Sequence, residues 1–198
     1  MNNNGIVILA AGSSSRLGQP KQLLEYRNKS LIRHVTDEAI SSATGPVIVV
    51  IGANATRVAA ELKDTAALVR INEEWPEGMA SSIRHGVKEM LEAHPNTQSV
   101  TLAVCDQPFV SATLFTALLA QKLATGKGII ASAYEGTLGT PALFGRKYFG
   151  QLQSLHGQEG AKKLLKLNAA DVFGIPFDMG KIDVDTPEDY ASLPPAFE

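Results

Sequence analysis

Within ten residues the chain carries two glycines, three serines, an arginine and a lysine: Gly12-Ser13-Ser14-Ser15-Arg16-Leu17-Gly18-Gln19-Pro20-Lys21. Hydroxyls, free backbone N–H groups and two positive charges on one short loop suit a polyphosphate. Gly12 and Gly18 remove Cβ where the chain is expected to turn sharply. Far downstream stand carboxylates: Asp106, followed by Gln107-Pro108, and the pair Asp183 and Asp185 on either side of Val184. Carboxylate oxygens suit a hard cation, and Asp106 is the best metal ligand the chain offers. Asp183 and Asp185 alternate with Val184 and would face one side of a strand.

These residues need elements to hold them. Ile6 to Ala11 is apolar throughout, the pattern of a strand buried on both faces of a parallel sheet, and it delivers the chain into the loop. The loop is neither of two familiar phosphate binders. A Walker A loop would need its glycines one residue closer, with lysine where Gln19 stands, and the dinucleotide fingerprint would need glycine in place of Ser14.

Gln22 to Tyr26 reads as a short transition that ends at the turn-prone Arg27-Asn28. Ser30 caps a helix whose stripe is Leu31, Ile32, Val35 and Ala39, and Gly45-Pro46 lies beyond its end. Val47 to Ile51 is a second buried strand. Asn54 is expected to cap a helix running to about Leu62, and Ala67 to Ile71 is a third strand. This alternation predicts an α/β fold: a Rossmann-like, mostly parallel sheet with helices on both faces.

From Asn72 the rhythm breaks, and a helix begins at about Met79 with Met79, Ile83, Val87, Met90 and Leu91 as its stripe. Ser81, Ser82 and Arg84 fall near its first turns, where unpaired N–H groups lie. Ser99 to Cys105 is a fourth strand running into Asp106, which places that carboxylate at the strand edge where open α/β sheets bind ligands. Cys105 reads as a small buried hydrophobe rather than a reactive thiol, and Ser111 caps the following helix. Gly128 to Tyr134 and Leu138 to Phe144 are further strands, the second irregular or at an edge because of Gly139-Thr140-Pro141. Gly160 to Leu167 is a helix with Ala161, Leu164 and Leu165 inside. Asp171 to Phe177 and Lys181 to Val184 are the last strands, and Thr186 with Pro187 starts a final helix.

A chain of 198 residues fits one domain over 1–198. Its net charge of −2 and the absence of any run of like charge give no electrostatic footprint for nucleic acid or a membrane surface. One cysteine and no signal-like start point to the cytoplasm, and no apolar stretch reaches membrane-spanning length. The histidines show no zinc spacing.

The loop resembles, residue for residue, L-A-A-G-x-S-x-R-[ML]-G-x-x-K, the signature of the MobA/MocA-like nucleotidyltransferases. Asn72, Trp75, Gly78, Met79, Ser82, Ile83 and Gly86 are similar to a second segment of the molybdenum cofactor cytidylyltransferase-like branch. Asp106-Gln107-Pro108 and Asp183-Val184-Asp185-Thr186-Pro187 resemble two more family segments. The resemblance implies a nucleotide-diphospho-sugar transferase-like fold that moves a nucleoside monophosphate with release of pyrophosphate. It implies CTP as donor, with Leu9, Ala10, Ala11, Gly12, Ser13, Ser14, Lys21, Asn72, Gly78 and Ser82 holding the nucleotide. Arg16, Lys21 and Asp106 would be catalytic, with Mg²⁺ on Asp106 and on Asp183 or Asp185. The implied acceptor is molybdopterin or its molybdenum-loaded form, and a molybdenum hydroxylase would receive the product. Thr140 and Gln158 stand where family members often carry histidine and aspartate, both on the acceptor side. Two other readings stay open: transfer to a sugar phosphate or another phosphorylated metabolite, and a non-catalytic pterin carrier.

Overall fold

A computed structural model describes residues 3–15 and 17–194. The first strand, β1 (Asn4–Ala10), is buried along its whole length. Its residues alternate between two cores: Val7 and Leu9 face one side of the sheet, and Ile6, Ile8 and Ala10 the other. After the loop come β2 (Glu25–Tyr26) and β3 (Lys29–Ser30), an antiparallel hairpin turning at Arg27 and Asn28, both at positive φ. The sequence reading had only a transition here, because two-residue strands leave no periodicity. Next, α1 (Leu31–Ser41) starts at Ser30, whose hydroxyl accepts from the Arg33 N–H, and buries the expected stripe.

Then follow β4 (Val47–Ile51), α2 (Ala55–Glu61), β5 (Leu68–Ile71) and α3 (Met79–Ala93). Asn54 does not cap α2 with its side chain. It sits at φ 59°, and its backbone carbonyl accepts from Arg57 and Val58 instead. Ile83, Val87 and Met90 of α3 are fully buried, whereas Met79, at the first position of the helix, is 46% exposed and lines an open cavity. Gly86 is needed where α3 crosses the sheet: a Cβ there would stand 2.4 Å from Val7 Cγ1.

The chain continues through β6 (Ser99–Val104), α4 (Ala112–Thr125), β7 (Ile129–Tyr134), β8 (Thr137–Gly145), α5 (Phe149–Gln153), α6 (Lys162–Leu167), β9 (Val172–Pro176) and α7 (Pro187–Ala191). Ser111 caps α4 by accepting from the Leu114 N–H. Thr186 and Asp189 form a reciprocal capping box at the start of α7.

The seven-stranded sheet runs β5-β4-β1-β6-β8-β7-β9. All neighbours are parallel except β8, which is antiparallel to both β6 and β7. Thus β8 is interior rather than an edge strand, and its irregularity is a register shift opposite Ala131 and Ser132. One core packs under α3, α5 and α6, the other under α1, α2 and α4. The last predicted strand, Lys181 to Val184, is absent. A 3₁₀ turn covers Asp178–Lys181, and Val184 is buried by a third small cluster with Leu17, Leu24, Tyr26 and Leu31. Its burial comes from the hairpin side, so the alternation with aspartates is real but is not strand pairing.

Candidate active site

A cavity of about 510 Å³ opens at the carboxyl ends of β1 and β6. Leu9, Ala10, Ala11, Gly12, Ser13, Ser14 and Ser15 form one wall, and Lys21, Cys105, Asp106 and Asp185 close one end. Trp75, Pro76, Gly78, Met79, Ser82 and Gln158 form the other. This is the edge at which parallel α/β sheets collect ligand sites.

The loop owes its shape to a residue that sequence reasoning passed over. Gln22 is fully buried, and its Nε2 donates to the carbonyls of Ala10 (2.9 Å) and Gly12 (2.8 Å). Its Oε1 faces the Ser14 hydroxyl at 3.4 Å, and that hydroxyl accepts from the Lys21 N–H at 3.0 Å. Ser14 itself sits at φ 56°. A buried glutamine bonding to main chain leaves no spacing pattern, so nothing in the sequence marked it. Gly12 is not required by the turn, since its φ is ordinary and an added Cβ would meet nothing within 4 Å; Gly18, at φ 73°, is. Gln22→Ala would leave two carbonyls without this donor. It is expected to destabilise the protein by about 1–3 kcal/mol, read as a lower melting temperature. An unchanged value would mean that the loop keeps its shape unaided.

Lys21 Nζ lies between two carboxylates, 2.5 Å from Asp106 Oδ2 and 2.8 Å from Asp185 Oδ1. Burial works against the ammonium charge, but Asp106 and Asp185 outweigh it and hold the Lys21 pKa above its ordinary value. Asp183 does not line the cavity, yet it belongs to the same charge cluster. Burial first, then the charges of Asp106 and Asp185, raise its carboxyl above the usual range. Asp185 is fixed by the start of α7, where its N–H donates to Asp189. The Val184 N–H donates to the Asp106 carbonyl, tying the two acidic segments together. Cys105 is buried, and desolvation pushes its thiol up to about 12, which keeps it protonated and unreactive.

Gly78 takes a backbone conformation, φ 124°, that favours glycine, and a Cβ there would lie 2.5 Å from the Gly157 carbonyl oxygen. Asn72 is buried behind the wall rather than lining it. Its Nδ2 donates to the hydroxyls of Ser81 and Ser82, which orients Ser82 at the cavity. Arg16 lies outside the described residues.

Among the described residues, no group of three or more His, Cys, Asp or Glu side chains is arranged to hold a metal unaided. The donor set nevertheless fits a hard divalent cation of the magnesium type. Such ions are bound by one or two carboxylates, with water and substrate phosphates completing the shell. Asp106 and Asp185 already flank a cation, the Lys21 ammonium.

Residues 6–172 match the model of the MobA-like NTP transferase domain. The chain belongs to that family. Members with which this MobA-like NTP transferase can be compared carry different names. Nicotine blue oxidoreductase of Paenarthrobacter nicotinovorans is 33% identical over 71% of this chain and 66% of its own length. Purine catabolism protein PucB of Bacillus subtilis is 28% identical over 93% and 92%. A crystal structure of Rv0371c from Mycobacterium tuberculosis superposes on this MobA-like chain with a TM-score of 0.83, at 32% identity and 95% coverage of both. A second structure of that protein, a complex with manganese, gives 0.79 at 29% identity, covering 95% of this chain and 96% of that one. Among the described residues, no helix of this family member is long and apolar enough to cross a membrane.

Proposed function

We propose that this MobA-like NTP transferase moves CMP from CTP onto a molybdopterin-type acceptor, releasing pyrophosphate. The observation that carries the reading is the cavity itself, with a lysine between two aspartates at one end and an uncharged, aromatic-bearing wall at the other. An oxygen of the acceptor's phosphate attacks the α-phosphorus in line. The new P–O bond forms as the bond to the bridging oxygen breaks, and the pyrophosphate leaves with that oxygen and its electron pair. Positioning and charge neutralisation supply most of the acceleration in such transfers. The loop N–H groups and hydroxyls of Gly12, Ser13 and Ser14 hold the triphosphate, and Lys21, with Arg16, neutralises the leaving oxygens. Asp106 with Asp185 or Asp183 would hold a divalent cation, which would supply charge neutralisation to the triphosphate. That Rv0371c forms a complex with manganese supports the binding of a divalent metal.

The name of the Paenarthrobacter relative speaks for redox chemistry. The lysine–carboxylate end of this cavity, suited to phosphate and a hard cation, speaks for transfer. Thr140, whose hydroxyl donates to Gln107 at 3.1 Å, stands where family members often carry histidine, and that departure favours a sugar phosphate as the second candidate acceptor.

The deciding assay incubates the protein with each of four NTPs, Mg²⁺ and molybdopterin or a panel of sugar phosphates. Pyrophosphate release with CTP and molybdopterin is the expected result. Release only with another acceptor transfers the assignment to that acceptor, and binding of pterin without any release would mark a carrier. Ala11 sharpens the test of the base. It is buried on the α3 side of the sheet and lines the same cavity as Ser82. One methyl is worth about 1–3 kcal/mol of discrimination, so Ala11→Gly should reduce the preference for CTP over GTP by roughly ten- to a hundredfold. The check is kcat/KM for both nucleotides; an unchanged ratio removes Ala11 from base selection.

A further inference from the structure

The two ends of the cavity differ in chemistry. Lys21, Asp106 and Asp185 make one end ionic, whereas Trp75, Pro76, Gly78, Met79 and Ser82 give the other no formal charge. A flat heteroaromatic ring suits the uncharged end, with its aromatic and apolar surface, as phosphates suit the ionic one. Gln158 stands at the uncharged end. A Cβ built on Gly78 would come within 2.9 Å of Gln158 Cδ, so the carboxamide lies directly over the Gly78 backbone. That carboxamide forms no hydrogen bond with the described residues.

The backbone beneath Gln158 is tied down on several sides. The Gly157 carbonyl accepts from the Ala80 N–H at 3.1 Å, in the first turn of α3, and the Gly157 N–H donates to Glu77 Oε1 at 3.1 Å. Arg84 grips both oxygens of Glu77, at 2.8 and 2.5 Å, and donates to the Leu155 carbonyl at 2.7 Å. The Arg84 hydrogen bonds, then that from Gly157, hold the Glu77 carboxyl down to about 2, so this clamp stays ionised at any ordinary assay pH. A loop fixed so firmly carries one exposed amide that lines the cavity and makes no hydrogen bond with the described residues.

We propose that Gln158 is a specificity residue for the donor nucleotide, its carboxamide hydrogen-bonding the edge of the base at the uncharged end of the cavity. This rests on the reading that the cavity takes a nucleoside triphosphate. A carboxamide both donates and accepts, which matches a base edge carrying an amino group beside a ring nitrogen, as cytosine does. The assignment puts Gln158 on the donor side of the reaction, whereas its family position suggested the acceptor side.

Calorimetric titration of wild type, Gln158→Ala and Gln158→Met with CTP and with inorganic tripolyphosphate, both in Mg²⁺, tests this. The methionine variant keeps the length of the side chain without its polar atoms. Both variants should bind CTP about tenfold more weakly, through loss of one or two hydrogen bonds, and tripolyphosphate as wild type does. Equal weakening for CTP and tripolyphosphate would make Gln158 a phosphate contact and overturn the proposal. Unchanged CTP binding would overturn it too. A wild type that binds neither compound sinks the nucleotide reading itself. If wild type prefers another NTP, the cytidylyl assignment falls, while Gln158 must still weaken that NTP and not tripolyphosphate.

Discussion

Lys21→Met is expected to lower kcat by roughly 10²- to 10³-fold, the scale for losing one hydrogen-bond donor at a developing oxyanion, and to do so alike for every NTP. The reason is position: the ammonium sits at the ionic end of the cavity, away from the uncharged wall. A second measurement separates this from simple damage. In the free protein the ammonium lies between Asp106 and Asp185, where a divalent cation would have to compete with it. With methionine there, Mn²⁺ binding without nucleotide, followed by the paramagnetic resonance of the free ion, should tighten while turnover collapses. Opposite movements of the two quantities are the signature. Turnover equal to wild type would mark Lys21 as a structural ion-pair partner, and weaker Mn²⁺ binding would deny that it holds the cation's place.

Asp106→Asn should cost at least about 10²-fold in kcat, because the amide keeps the shape but removes the charge that a metal requires. The fold should persist. Asp106 meets the C-terminal segment through its backbone carbonyl, which accepts from the Val184 N–H and is untouched by the substitution. Lys21 also keeps its contact with Asp185. Pyrophosphate release against magnesium concentration is the measurement, with circular dichroism as the control for folding. An Asp106→Asn protein that is active and saturable by magnesium would remove this residue from the mechanism.

Much of this architecture was legible because burial writes itself into sequence in a simple code. β1 and β4 are covered on both faces and so read as unbroken apolar runs, and α1 shows its stripe of Leu31, Ile32, Val35 and Ala39. The caps at Ser30, Ser111 and Thr186 were legible because short hydroxyl side chains at helix starts have a direct bonding role. Asn54 failed the same rule, since a residue at φ 59° presents its carbonyl rather than its side chain to the helix. Contacts between distant segments left no local trace. Gln22 bonds to main chain ten and twelve residues upstream. The hairpin Glu25–Ser30 is too short for a period, and α5 interrupts a stretch with no helical stripe of its own. Met79 matched the spacing of the α3 stripe but lines the open cavity, where periodicity and burial part company. At the site, types and spacing brought Lys21 and Asp106 to one place. That Asp185 rather than Asp183 touches Lys21 depends on the turn before α7, which alternation alone leaves undecided.

The small cluster of Leu17, Leu24, Tyr26, Leu31 and Val184, with Tyr190 and Leu193 against it, joins the first part of the chain to the last. The Tyr190 hydroxyl adds a bond to the Glu25 carbonyl across the same seam. Asp183 and Asp185 follow β9 and belong to no strand, so the hydrogen bonding of the sheet does not hold them. Without that seam Lys21 would have Asp106 as its acidic neighbour but not Asp185, and the ionic end of the cavity would lack one wall. The seam therefore does for the site what the ladder does for the sheet: a loosening of it would disarm the chemistry while leaving the seven strands paired.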